Sequence, residues 1–151
     1  MTYAFAIDPN ASEADIAAVR AGLRQFDRSF APLIDPSPLN IFLRDEQGAL
    51  AGGLLAHTYW GWIHVDVLWL TEAARGQDYG TRMLDLAEQE ARRRGCHHAN
   101  LDTASFEALP FYLKRGYEVW GQLDDFPMGH SHYFLKKALA TASIIRDPDE
   151  V

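Results

Sequence analysis

The run Arg75-Gly76-Gln77-Asp78-Tyr79-Gly80 places a permanent cation and two glycines where a strand gives way to a helix. Glycine lets the backbone turn and approach a ligand closely. The first-turn amides of the helix that opens near Gly80 have no intrahelical acceptor and point at whatever precedes it. With the helix dipole, they suit an anion. Arg75 is placed to meet a phosphate oxygen, and Thr81 adds a hydroxyl donor. Two nucleotide loops are excluded. A P-loop ends Gly-Lys-Ser/Thr, where this chain has Gly80-Thr81-Arg82. A dinucleotide fingerprint needs glycines spaced G-x-G-x-x-G, and one is missing. Taken alone, the run also fits an ordinary strand-to-helix connection.

Other chemistry-bearing residues are scattered. His130 and His132 sit two apart, as same-face residues of a strand would, yet no third ligand lies near and a zinc site usually needs three protein ligands. No metal is expected. Tyr59, Trp60 and Trp62 cluster at a reversal, where they form either an aromatic wall for a ligand or packing for the opening helix. Tyr112, read by itself, is a core aromatic with a bonded hydroxyl.

These residues need a scaffold. Ser12 with Asp15 gives a capping-box signal, and Ile16, Val19, Leu23, Phe26 and Phe30 recur at helical spacing up to Pro32. Asp35-Pro36-Ser37-Pro38 reads as a loop, and 40–44 and 49–59 as strands joined by a turn at 45–48. Ile63 to Leu70 alternates at first and then turns apolar on both faces, which marks a central strand. Met83, Leu84, Ala87 and Ala91 define a helix face that ends at Arg92-Arg93-Arg94-Gly95. A strand at 98–103 and a short helix at 105–115 follow; Pro110 requires that helix to start late or to kink. Strands at 117–123 and 131–137 complete the set, and 140–151 reads as a polar tail after one domain at 1–139. The class is α/β with a mixed sheet.

At 151 residues and 48% hydrophobic content, the chain suits one folded core. The net charge of −7 argues against a nucleic-acid partner, and the longest apolar stretch is too broken to span a membrane. One cysteine, Cys96, and an N-terminus without a signal pattern make the cytoplasm the expected compartment.

The loop, read with a second segment, resembles the GNAT superfamily of N-acyltransferases. That family's motif after a central strand is Arg/Gln-x-x-Gly-x-Gly/Ala; here Leu68-Trp69-Leu70 leads to Arg75-Gly76-Gln77-Asp78-Tyr79-Gly80, with Asp78 in place of the middle glycine. The second segment follows Asn-x-x-Ala-x-x-Leu-Tyr-x-Lys-x-Gly-Phe, matched by Ser105, Ala108, Phe111-Tyr112, Lys114 and Gly116-Tyr117. The resemblance implies a mostly antiparallel central sheet whose central strands splay, flanked by about four helices. It also implies transfer of an acetyl group from acetyl-CoA directly to a primary amine of a small molecule or protein.

Under that resemblance, Leu68, Trp69 and Leu70 bind the pantetheine arm through the backbone, and an amide near Leu70 polarises the thioester carbonyl. Arg75, Gly76, Gln77, Asp78, Tyr79, Gly80 and Thr81 hold the pyrophosphate. Tyr112 protonates the departing sulfur, a role suited to a phenol because its proton affinity is comparable to a thiol's. Ser105 either bonds the pantetheine or caps a helix. The general base stays open among His57, Asp66, Asp124, Asp125 and His130. A homodimer is compatible with the resemblance, as is a module that binds acetyl-CoA as a sensor without turnover.

Overall fold

The structure is a computed structural model that describes residues 1–32 and 34–140. The expected tail beyond Ala140 lies outside them. Met1–Asp35 forms one compact unit and the chain from Pro36 another.

In the first unit, helix α1 spans Glu13–Asp27. Ser12 caps it by accepting from the Asp15 amide at 3.1 Å. The reciprocal bond differs from a standard capping box, because the Asp15 carboxylate accepts from the Ser12 hydroxyl at 2.8 Å rather than from its backbone. Arg24 pairs with Asp35.

The second unit is built on a six-stranded sheet. Its strands are β1 (Ser37–Arg44), β2 (Leu50–Tyr59), β3 (Trp62–Leu70), β4 (His98–Ala104), β5 (Glu118–Asp124) and β6 (Ser131–Ala138), in the order β1-β2-β3-β4-β6-β5. Only β3 and β4 pair in parallel. Helix α2 (Tyr79–Arg93) makes the crossover between them, and α3 (Leu109–Lys114) follows β4. With a 3-10 turn at Glu72–Ala74, the described residues hold three α-helices, in keeping with the expected set of about four. No described helix is long and apolar enough to cross a membrane.

Two expected boundaries move for a physical reason. Ser37 and Pro38, expected in a loop, belong to β1; it is an edge strand, where proline's missing N–H costs no ladder bond. Residues 105–108 form a turn instead of the first turn of a helix. α3 starts at Leu109 with Pro110 in its first turn, so the proline is met by a late start.

One face of the sheet carries the core. Leu54, Ala56, Ile63, Val65, Ala99, Leu101 and Leu135 meet Met83, Leu84, Ala87 and Ala91 of α2. Glu88, on the same helix, is buried but not bare: it accepts from the Tyr117 hydroxyl at 3.0 Å and from Lys137 Nζ at 2.9 Å. A buried carboxylate is tolerable when so paired.

The parallel pairing of β3 with β4 is short. It runs from Trp62–His98 to Val65–Leu101 and stops. Beyond it, β3 stays paired with β2 as far as Leu70–Gly52, and β4 with β6 as far as Ala104–His132. The central strands therefore diverge into a fork. At its root the β2–β3 register slips, with Leu55 opposite Val67 and Ala56 opposite Val65, so Asp66 is an extra residue in β3.

Leu54 is fully buried between sheet and α2. Leu54→Ala should cost about 2–5 kcal/mol of stability; a shift of the urea midpoint at unchanged slope would register it.

Candidate active site

The end of β3 can lie close against β2 only because Gly52 has no side chain. A Cβ there would stand 2.7 Å from the Trp69 carbonyl oxygen and 3.3 Å from the Leu70 Cα. With β3 held on that side, its other edge, from Asp66 to Leu70, faces the fork without a strand partner.

The loop after β3 is shaped by left-handed residues. Gly76 has φ +73° and Asp78 φ +60°. Asp78, in the place of the family's glycine, thus takes a backbone conformation that Asp tolerates better than most residues do. Its carboxylate makes no capping bond to α2. The amides of residues 76–81 donate to no backbone carbonyl among the described residues; the first bond into α2 is from Arg82 to the Asp78 carbonyl at 3.0 Å. Arg75 Nε donates to the Leu70 carbonyl at 3.2 Å, which ties the loop to the strand end and leaves the two terminal guanidinium nitrogens without a protein partner among the described residues.

A groove of about 540 Å³ runs along this loop, a volume suited to a small-molecule ligand. Leu68, Trp69, Leu70, Arg75, Gly76, Asp78, Tyr79, Gly80 and Thr81 line it, so most of the residues expected to act together do meet. Gln77 does not join them with its side chain, which donates to the Ala73 carbonyl at 2.9 Å and faces away. Ser105 is also elsewhere. Its hydroxyl accepts from the Ser131 amide at 3.2 Å, tying the end of β4 to the start of β6, and the α3 N-cap position is Ala108, so Ser105 caps nothing.

In the fork itself, a second cleft shares Leu68 and Trp69 with the groove and is lined also by Asp66, Asp102, Thr103, Phe106 and Glu107. Tyr112 and Arg75 line both cavities. The charges segregate: Arg75, Lys114 and Arg115 against Asp78 in the groove, and Asp66, Asp102 and Glu107 against Arg75 in the cleft. Tyr112 is 7% exposed, and its hydroxyl has no hydrogen-bond partner among the described residues. Burial, helped by the Glu107 charge, pushes its phenol up to about 12. It therefore holds its proton at any physiological pH.

A sequence model of the Acetyltransferase (GNAT) family matches residues 8–117. The chain belongs to the GNAT acetyltransferase family. Blasticidin-S acetyltransferase from Streptomyces morookaense is 38% identical over 112 residues, 72% of this chain and 82% of that one. An acetyltransferase from Agrobacterium fabrum is 40% identical over 103 residues, 68% of this chain and 75% of its own length. The crystal structure of an acetyltransferase from Bacillus cereus superposes with a TM-score of 0.80 at 30% identity, covering 89% of this chain and 98% of that one. The GNAT fold expected from the two motifs is the fold observed, and the protein is an N-acetyltransferase.

Arg115, His64 and Asp102 of this GNAT site carry no signal in the sequence. Lys114 and Arg115, at the C-terminal end of α3, line the groove with the loop they complement, and Arg115 Nε is buried there without a partner among the described residues. On the cleft side, Asp102, His64 and His132 join His57 and Asp66 in one chain of contacts. The His57 Nδ1–Asp66 Oδ2 distance is 3.0 Å, and His132 Nε2–Asp102 Oδ2 is 2.6 Å. Between the two carboxylates stands His64 Nε2, 3.5 Å from Asp66 Oδ1 and 3.7 Å from Asp102 Oδ1. His130 lies outside β6, edge-on to Phe106, so it does not pair with His132 as a same-face couple. Asp124 and Asp125 are engaged in the β5–β6 turn by Ser131 and the Gly129 amide. Tyr59, Trp60 and Trp62 line a separate pocket with His57, His64 and Asn100.

The two glycines of the site make opposite predictions. Gly52→Ala drives a methyl into β3 backbone and should cost about 1–3 kcal/mol. At Gly80 the nearest atoms to an added Cβ are side-chain carbons at 3.6 and 3.7 Å, so Gly80→Ala should leave stability within about 1 kcal/mol or raise it. Thermal unfolding of the two variants checks both.

Proposed function

We propose that the protein transfers the acetyl group of acetyl-CoA to a primary amine of a small, cationic molecule. The observation that carries this reading is the segregation of charge across the fork, with a cationic groove and an acidic cleft meeting at Tyr112. Bound there, acetyl-CoA supplies an activated acyl group on a thiol that can leave. The groove fits its polyanionic end: open amides at 76–81, the free guanidinium end of Arg75, and Lys114 and Arg115 opposite.

Gly80 supports the same assignment. Its backbone is helical and a side chain would meet only ordinary contacts, so the fold does not require glycine there. Its absent side chain keeps the groove open to close approach. Along β3, the unpaired edge at Leu68, Trp69 and Leu70 offers backbone donors and acceptors to an extended amide-bearing chain, as an added strand would. On this reading the amide near Leu70 polarises the carbonyl that reacts.

Tyr112 donates its proton to the leaving sulfur. Burial raises the phenol above the ordinary thiol range, which would make transfer uphill if the thiol kept its aqueous affinity. A thiolate leaving in the same desolvated place is also disfavoured, and its proton affinity rises with that of the phenol. The acidic cleft favours an ammonium-bearing acceptor, and the named substrate of the Streptomyces relative supports a small molecule over a protein.

Thiol release on mixing the protein with acetyl-CoA and an amine panel that includes blasticidin S tests the reading; no release with any amine would refute it. Tyr112→Phe should lower kcat by about 10²-fold while acetyl-CoA affinity is kept, and Arg75→Ala should weaken that affinity by about tenfold or more. A calorimetric titration separates the two effects. Because Tyr112 stays protonated until about pH 12, its loss of a proton should produce no fall in kcat below about pH 10.

A further inference from the structure

We propose that His64 takes the proton from the acceptor's ammonium group, which Asp66 and Asp102 hold at the root of the fork. The proposal rests on the acetyl-transfer reading and assigns the base that reading leaves open.

The geometry is specific. His64 Nδ1 lies 2.5 Å from Asn100 Oδ1, so with that oxygen as acceptor the neutral ring carries its proton on Nδ1 and presents a lone pair at Nε2. Nε2 is directed between two carboxylate oxygens, one on each diverging strand, at 3.5 and 3.7 Å. Each carboxylate has its other oxygen engaged by an outer histidine: Asp66 by His57 and Asp102 by His132. The Oδ1 atoms are thus the ones turned toward the ring. An ammonium nitrogen between them is within reach of Nε2 directly or through one water.

The fold supplies the placement. His64 and Asp66, two apart on β3, share a face by the ordinary alternation of a strand, and Asp102 on β4 reaches the same face. Among the described residues, the groups facing His64 are His57 from β2, Asp66 from its own strand, Asn100 and Asp102 from β4, and His132 from β6 through Asp102. Two carboxylate oxygens lie within ion-pair distance of the imidazolium that forms, at 3.5 and 3.7 Å from Nε2. Their donor atoms do not converge as metal ligands do; among the described residues no three His, Cys, Asp or Glu could hold a metal ion.

The protons balance. The ammonium gives one proton to Nε2, and the freed nitrogen lone pair forms the N–C bond as the C–S bond breaks. The sulfur takes the Tyr112 proton, the nitrogen's excess proton restores the phenol through water, and the imidazolium releases its proton to solvent. Thioester and ammonium become amide, thiol and one proton.

The test is the pH profile of kcat with acetyl-CoA and a primary amine. His64→Gln should lower kcat by about 10²-fold at neutral pH and move the acid limb upward toward the free amine's own titration, with acetyl-CoA affinity unchanged within about twofold. Should that variant not fold, Asn100→Leu keeps the imidazole but removes the acceptor that fixes its tautomer. It should shift the limb the same way with a loss of about tenfold. His130→Gln, outside the network, should keep the wild-type limb. An unchanged limb in His64→Gln, or in Asn100→Leu where that variant stands in, overturns the assignment, as does a moved limb in His130→Gln. Failure of the wild-type protein to release thiol overturns the acetyl-transfer reading instead, so the two failures are distinct.

Discussion

A strand edge in a folded protein must pair, meet water or meet a ligand, because an unpaired backbone amide or carbonyl shut away from all three costs a lost hydrogen bond. The rest of this site depends on the place where β3 and β4 stop satisfying each other, after Val65 and Leu101. Each strand keeps its outer neighbour, so the fork is held open by β2 and β6 rather than by disorder in the strands themselves. Gly52 lets β3 follow β2 to its end, and the extra residue at Asp66 adds local twist at the root. A mostly antiparallel sheet with one short parallel pair is therefore the device that exposes main chain in the middle of a stable core.

Charge then divides the two sides. The chain as a whole carries −7, yet the groove beside the loop from Arg75 to Gly80 is lined by more cations than anions. An anionic donor is steered by the local field, not by the net charge. The cleft on the other side has the opposite balance, and Tyr112 stands at the border with its ring buried. Its position explains its raised proton affinity and suits the use proposed for it, since the desolvation that disfavours a phenolate also disfavours a bare thiolate beside it.

Local signals carried much of this into the sequence. Ser12 and Asp15 announced the start of α1, and Arg92-Arg93-Arg94-Gly95 the end of α2, because caps and dipoles act over a turn or two. The loop from Arg75 to Gly80 was legible for the same reason, and the segment around Tyr112 through family resemblance. What escaped depends on pairing between distant strands. His64, Asp66, Asp102 and His132 come together across three strands, and no spacing along the chain encodes that the register slips by one residue at Asp66. Ser105 misled because a serine before a helix reads as a cap, whereas Pro110 delays that helix and a strand partner, Ser131, takes the hydroxyl. Gln77 sits inside the motif, but its amide is drawn to Ala73 by the 3-10 turn before it.

Amide hydrogen exchange resolved by residue, in the presence and absence of acetyl-CoA, tests the central claim most directly, since it reads the strand edge itself. The account predicts that the fork-facing amides of β3 between Asp66 and Leu70, with those of residues 76–81, exchange more slowly when acetyl-CoA is saturating, while the already paired root at Trp62–Val65 changes little. Slowed exchange confined to other parts of the sheet, with the fork and loop unaltered, would contradict it.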